Sequence, residues 1–271
     1  MMNMRKGIVT IVVMTTTIFI LSSLLLSIVD LPSETEITER VLKPSVQIAY
    51  FEGIGGAVTE WRVAGSGVVF KTPNKTYILT AAHVVISAKK VHYEIDEGGK
   101  QKVVEEFDDV MAIIERVKEG IVTGELRVRC KVLKCSKVEE EGGDDVAVLE
   151  PYEGDLFTVG ARPLPKDRRI YAGQPVYHCG SLLGELVNSV TFGVISSVSR
   201  MYRNKPFIQL STTALPGSSG GGIFVVDEGK CYYAGMLTRG TGETVNLAIP
   251  ISRIRSVLGK WKLEEVFDAA Q

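Results

Sequence analysis

Histidine is scarce in this sequence, with three residues in 271, and cysteine is nearly as scarce, with four. Cys130, Cys135, Cys179 and Cys231 are too few for a disulfide scaffold, and none of their spacings forms the paired Cys-x-x-Cys pattern of a zinc site. No metal and no cofactor is expected. If 130–135 is one strand, its ends stand roughly 16 Å apart at about 3.3 Å per residue, too far for a disulfide unless a tight turn intervenes. Pairing of Cys179 with Cys231 stays open, and free buried thiols are the default. Also missing is a surplus of either charge: 31 Lys and Arg stand against 32 Asp and Glu. A dedicated nucleic-acid binder needs a basic excess to neutralise phosphates, so no nucleic acid is expected as a partner. Repeats and low-complexity tracts are absent. What remains, at 45% hydrophobic and 23% charged, is the composition of a folded globule.

One stretch departs from that composition. Residues 7–29 carry no charge, and at about 1.5 Å per residue they span roughly 34 Å, enough for a hydrocarbon core of about 30 Å. Arg5 and Lys6 precede the stretch while Asp30, Glu34 and Glu36 follow it, which places 1–6 in the cytoplasm and the rest outside, periplasmic or extracellular. The apolar core is longer than that of a cleaved signal peptide, and Leu25, Leu26, Ile28 and Val29 crowd its end, favouring a retained single-pass anchor in the membrane. Residues 30–40, polar, acidic and broken by Pro32, read as a stalk.

From about Val41 short β-rich runs recur between turn signals: SVQIAYF, SGVVF, TYILTAAHVV, LRVRCKV, DVAVLE, QPVYHCG, VTFGVISSV, FIQLSTTA, GGIFVV, CYYAGML and TVNLAIP. Many short strands without alternating helices imply an all-β chain of antiparallel barrels or a sandwich. Two segments break the pattern. Val103, Phe107, Val110, Met111, Ile114 and Val117 recur at helical spacing, which predicts an amphipathic helix over 102–119 inserted between strands. After Pro250, Ser252 is placed to cap a closing helix over 252–271, with Ile254, Val257, Leu258 and Trp261 on one face.

His83 ends the run Leu79-Thr80-Ala81-Ala82-His83, whose small residues let another segment approach the ring. Asp145 stands at the mouth of the apolar run Val146-Ala147-Val148-Leu149, and Pro216-Gly217-Ser218-Ser219-Gly220-Gly221 is a turn able to set a hydroxyl and two N–H groups around one point. These are the parts of a Ser-His-Asp hydrolase in the order His, Asp, Ser. A serine hydroxyl needs an adjacent base near neutral pH, and a neutral imidazole, with an ordinary pKa of about 6.5, supplies one. A buried carboxylate holds that ring in the right tautomer. The N–H groups of Gly217 and Ser219 can form an oxyanion hole. His92 and His178 lie outside the motifs and read as surface or strand residues.

LTAAHVV, DDVAVLEP and PGSSGGGIF together resemble the trypsin-like, chymotrypsin-fold serine proteases, and within them the Deg/HtrA branch. The likeness runs from Lys43-Pro44-Ser45-Val46 through Gly65-Ser66-Gly67-Val68-Val69, Gly180-Ser181-Leu182-Leu183-Gly184, Gly193-Val194-Ile195-Ser196 and Ile208-Gln209 to Ala248-Ile249-Pro250. It implies two antiparallel six-stranded barrels, 41–160 carrying His83 and Asp145 and 161–251 carrying Ser219. Carried over by residue, His83 is the general base, Asp145 the orienting acid, Ser219 the nucleophile, and Gly217 with Ser219 the oxyanion donors. Asp144 is an alternative acid, but the family pattern selects the residue directly before the Val-Ala-Val-Leu run.

The departures are specific. Ser218 stands where relatives usually carry Asn or Asp, and Gly221-Gly222 replaces the usual Gly-Pro. No PDZ domain is expected in the residues after Pro250. By the same resemblance, the residue six before the nucleophile, Thr213, lies at the base of the specificity pocket, with Ala214 and Leu215 beside it. Leu237, Thr238, Leu247 and Ala248 wall the pocket, so small or medium aliphatic side chains are expected there. Arg239 either points to solvent or folds in to favour an acidic residue. The expectation is an extracytoplasmic, membrane-anchored serine endopeptidase acting on polypeptides; its rival is a catalytically silent binding or scaffolding relative. Deg-like relatives often trimerise, so a homo-oligomer is compatible with the resemblance.

Overall fold

Runs of β-branched and aromatic residues alternate with Gly, Asn and Asp turns from Ser45 to Pro250, and most pair with their neighbours in sequence, while four longer-range pairings close the barrels. The computed structural model describes residues 31–54, 57–95, 100–118, 121–240 and 245–268. In chain order these form helix α1 (Glu34–Ile37), continued by a wider π-helical turn (Thr38–Leu42), then β1 (Ser45–Ile54), β2 (Ala57–Lys71) and β3 (Thr76–Thr80). A one-turn helix α2 (Ala82–Val85) leads to β4 (Lys89–Ile95), β5 (Gln101–Phe107), β6 (Val110–Lys118), β7 (Ile121–Cys135) and β8 (Ala147–Pro151). The second half holds β9 (Pro175–Leu182), β10 (Leu186–Tyr202), β11 (Lys205–Leu210), β12 (Gly222–Asp227), β13 (Lys230–Gly240), β14 (Asn246–Pro250) and helix α3 (Ile251–Trp261). Two closed antiparallel barrels result, with strand orders β1-β2-β3-β8-β7-β6 and β10-β11-β14-β13-β12-β9, and β4-β5 forms a separate ribbon.

One continuous core runs through both barrels. At the seam Phe70 of β2 meets Tyr233 of β13 edge-to-face at 5.0 Å, and Phe267, just beyond α3, closes over Phe70 at the same distance. Burying rings of this size stabilises by about 1.5–3 kcal/mol each, which makes this aromatic cluster a principal tie between the halves.

Three expectations need correction. The helix over 102–119 does not form: β5 and β6 occupy that stretch, divided at Asp108-Asp109. The cause is burial of both faces of β6. Val110 and Ala112 enter the barrel core while Met111 and Ile113 pack outside it with Ala49 and Trp61, so no two-residue alternation survives. Residues 34–40 of the expected stalk are helical and docked. Ser33 caps α1 by accepting from Glu36 N–H, and Glu36 Oε1 accepts from Arg162 at 2.7 Å and from Cys231 N–H at 2.9 Å. The closing helix does form, but its N-cap is Pro250, and exposed Ser252 lies inside its first turn. It stops at Trp261, where Lys262 takes a left-handed conformation, instead of reaching 271.

All four cysteines are free thiols, Cys130, Cys179 and Cys231 being buried and Cys135 half-buried. Burial pushes each thiol up to about 12. Residues 7–29 lie outside the described residues; among the described residues no helix is long and apolar enough to cross a membrane.

Candidate active site

The apolar strand β3 is buried along its whole length, and where it ends the chain folds into α2. Ala82, Val84 and Val85 turn inward, which leaves His83 as the outward residue of that turn, with its side chain 34% exposed. Asp145 comes from the loop before β8 and is held at φ +56° by its N–H bonding to the Lys137 carbonyl. Its carboxylate is buried. Oδ1 accepts from the His83 backbone N–H at 3.0 Å, and His83 Nδ1 lies 3.1 and 2.9 Å from the two carboxylate oxygens. The Thr238 hydroxyl donates to Oδ2 as well. Because Nδ1 faces an acceptor it carries the proton, so the free lone pair of the ring is on Nε2.

Ser219 arrives from the second barrel on the turn before β12. The hub of that turn is Ser66 of β2, which is almost fully buried. Ser66 N–H donates to the Ser219 carbonyl at 2.7 Å, and its hydroxyl donates to the Gly217 carbonyl at 2.7 Å while accepting from Ser181 N–H at 2.8 Å. Thr80, three residues before His83, in turn bonds the Ser66 carbonyl at 2.7 Å. Gly65 is pinched between the histidine helix and the turn: a Cβ there would stand 2.6 Å from Val84 and 2.7 Å from the Ser219 carbonyl. Backbone contacts thus carry the Ser219 turn to the histidine helix. The Ser219 hydroxyl itself makes no hydrogen bond among the described residues.

The turn leaves two N–H groups free. Across a trans peptide the N–H points opposite to the carbonyl, so tying back a carbonyl aims the next N–H. The Pro216 carbonyl is tied by Leu183 N–H at 2.7 Å and the Ser218 carbonyl by Gly221 N–H at 3.0 Å. Among the described residues neither Gly217 N–H nor Ser219 N–H has a protein acceptor. Gly217 sits at φ +94°, and a Cβ there would fall 2.4 Å from the Ser181 carbonyl. Only glycine fits. Ser218 is fully buried and accepts from Leu215 N–H at 3.1 Å, so it closes the turn on itself.

Beside Ser219 lies a cavity of about 330 Å³ lined by Ala214, Leu215, Pro216, Leu237, Thr238, Arg239 and Gly240. Thr213, expected at its base, is not among the lining residues; its carbonyl instead accepts from Thr191 at 3.2 Å. Arg239 takes neither expected course. Its guanidinium reaches into the loop ahead of Asp145, where Nε pairs with buried Glu139 at 2.9 Å and a terminal nitrogen meets Glu140. Asp144 pairs with Arg253 at 3.5 Å and with Lys205 and Lys260 beyond that, and it is Asp145 that holds His83. A larger hollow of about 650 Å³ on the first barrel, between Lys71–Thr76 and Glu150–Leu156, brings no nucleophile and base together. Among the described residues no cluster of His, Cys, Asp and Glu could hold a metal.

Sequence reasoning did not find the Ser66 hub, the Thr238 bond to Asp145 or the Arg239–Glu139 pair. The acidic run Glu139-Glu140-Glu141 was a signal for a cation partner, whereas Ser66 and Thr238 acquire their contacts only through tertiary packing.

Comparison with known proteins places these features. The trypsin-like peptidase domain family matches residues 65–232. Curated relatives include serine protease HhoA of Synechocystis sp., 26% identical over 85% of this chain and 52% of that protein. A DegP-like periplasmic serine endoprotease of Halomonas elongata is 29% identical over 65% of this chain and 30% of its own length. The chain therefore spans about half or less of these relatives. Among solved structures, the HtrA-type protease AlgW with a decapeptide superposes with a TM-score of 0.59 at 17% identity, covering 87% of this chain and 68% of that one. A serine-to-alanine variant of AlgW with a tripeptide gives 0.56 at 19%, covering 86% and 64%. Both share its fold.

Proposed function

Because the chain belongs to the trypsin-like peptidase family, we propose that it is a serine endopeptidase in which Ser219, His83 and Asp145 act as nucleophile, general base and orienting acid. The observation that carries this is the buried Asp145 carboxylate on His83 Nδ1, which leaves the lone pair on Nε2, together with the Ser219 turn tied by Ser66 beside the histidine helix. His83 Nε2 takes the Ser219 proton as the hydroxyl oxygen attacks a peptide carbonyl. The electron pair of the opened C=O bond moves to the peptide carbonyl oxygen, whose negative charge is received by the N–H groups of Gly217 and Ser219. The imidazolium, stabilised by Asp145, returns the proton to the leaving amine, and water repeats the sequence in reverse to release the acyl group.

The cavity lined by Ala214, Leu215 and Leu237 takes the side chain before the cut. Arg239 lies beside it already neutralised by Glu139 and Glu140, so no unpaired charge attracts an ionised residue. A valine or leucine buried there gains about 1.5–3 kcal/mol, whereas an unpartnered Lys or Arg costs several. Substrates are therefore polypeptides cut after small or medium aliphatic residues. The likeness to periplasmic DegP-like enzymes and the uncharged stretch 7–29 support an anchored, extracytoplasmic location. Cleavage of a peptide library tests the reading: products ending in Val, Ala, Ile or Leu are expected, and dominant cleavage after Lys or Arg refutes the pocket.

A further inference from the structure

Five carboxylates crowd the loop between β7 and β8: Glu139, Glu140, Glu141, Asp144 and Asp145. Left alone they repel one another, yet Asp145 has to stay fixed on His83. Its own backbone does not secure that, because φ +56° is sparsely populated for a residue with a side chain and persists only where the surroundings impose it. Inside the loop, Asp145 N–H reaches the Lys137 carbonyl at 3.1 Å and Gly143 N–H the Val138 carbonyl at 2.9 Å. Gly143 is packed so closely that a Cβ would stand 1.9 Å from the Lys137 carbonyl oxygen, so the loop is a closed turn that moves as one piece.

What holds that piece comes from the other barrel. The β10–β11 hairpin ends in a tight two-residue turn, with Arg203 at φ +48° and Asn204 at φ +60°, which pairs Tyr202 with Lys205 and sets the lysine at the hairpin tip. Lys205 Nζ donates to the Gly142 carbonyl at 2.9 Å and also to the Gly143 carbonyl. Both acceptors lie at the loop apex, just ahead of Asp145. Tyr202, at the other end of the turn, lies under the Arg239 guanidinium at 5.5 Å, and Arg239 pairs with Glu139 and Glu140. Arg253 and Lys260 of α3 attend Asp144. Those ion pairs end on flexible carboxylate side chains, whereas the Lys205 bonds end on the main chain and fix where the loop backbone stands. The lysine side chain is only 23% exposed, and a charged donor makes a stronger hydrogen bond to a carbonyl than a neutral one does.

We propose that Lys205 is a positioning residue for the orienting acid: its ammonium, carried on the second barrel, clamps the Gly142 and Gly143 carbonyls of the first and so holds the Asp145 carboxylate on His83 Nδ1. The acid belongs to one barrel and Ser219 to the other, so a bond from the serine's barrel to the acid's loop keeps the two in a fixed relation. The effect on rate rests on the peptidase reading; the effect on the Asp145–His83 bond does not.

The test compares Lys205→Met, which keeps most of the stem and loses the donor, with Lys205→Arg, which restores a cationic donor, in the full chain. Lys205→Met is expected to lose about 10-fold or more in kcat with KM within about 3-fold, while Lys205→Arg keeps kcat within about 3-fold of wild type. Proton NMR supplies a readout that packing alone does not move: the low-field resonance of His83 Nδ1–H, absent from His83→Ala, reports the bond to Asp145. It is expected to be sharp in wild type and Lys205→Arg, and broadened or shifted upfield in Lys205→Met. A methionine variant with wild-type kcat overturns the proposal, and so does an unchanged resonance in that variant. Because the resonance needs no turnover, it tests the clamp even in a chain whose Ser219 fails to react with a fluorophosphonate, the result that would remove the peptidase reading instead.

Discussion

Single side chains set the chemistry here, and their effects separate cleanly from those of packing. Ser219→Ala removes one oxygen from a half-buried turn position and no core volume. Peptide turnover is expected to fall by about 10³-fold or more with an unchanged melting temperature, because members of such a constellation act as a unit. Near-normal turnover by that variant assigns the nucleophile elsewhere. Gly217→Ala differs in kind: its Cβ meets the Ser181 carbonyl at φ +94°, so both activity and stability should drop, measurable as lower kcat and a lower midpoint in urea. His83, Asp145 and Ser219 were legible in the sequence because each stands in a local motif. Ser66 and Thr238 were not, because their bonds to the Ser219 turn and to Asp145 arise from tertiary packing, which no local pattern displays.

At the scale of elements, the barrels were legible and the strands β4, β5 and β6 were not. β6 shows one reason: when both faces of a strand are buried, the alternation that identifies it disappears, and Val110, Met111 and Ile114 then fall in helical spacing with Val103 and Phe107 of the neighbouring, largely exposed β5. The acidic loop before β8 makes a second case. Arg239 at the end of β13 ties it through Glu139, joining the strand that walls the cavity to the loop that presents Asp145. Arg239→Ala would strand the buried Glu139 carboxylate. A loss of about 2–3 kcal/mol is expected, below that of a fully buried pair because Arg239 remains partly solvated. Denaturant unfolding checks it, and Glu139→Gln in the same background should recover much of the loss. Unchanged stability in Arg239→Ala would mean that the loop is held without the pair.

For the whole molecule, pH and location follow. Complete burial depresses His178 to about 4 in the folded chain against about 6.5 when unfolded, the Ser218 and Thr213 carbonyls opposing the shift. Between those values the unfolded state binds more protons, so its contribution is fully present above about pH 6.5 and is lost as pH falls toward 4, on the order of 2–3 kcal/mol. Unfolding curves of wild type and His178→Gln at pH 7 and pH 4.5 should therefore converge or cross; a constant gap contradicts the buried neutral ring. Residues 7–29 predict that membranes washed with carbonate retain the full-length chain, and recovery in the soluble fraction would remove the anchor. The central claim is an activated serine at residue 219, and reaction with a fluorophosphonate probe followed by mass mapping tests it most directly. The account predicts a single adduct on the peptide containing Ser219, lost in both Ser219→Ala and His83→Ala. A wild-type chain that stays unlabelled while a control serine protease reacts would contradict it and identify a silent member of the family.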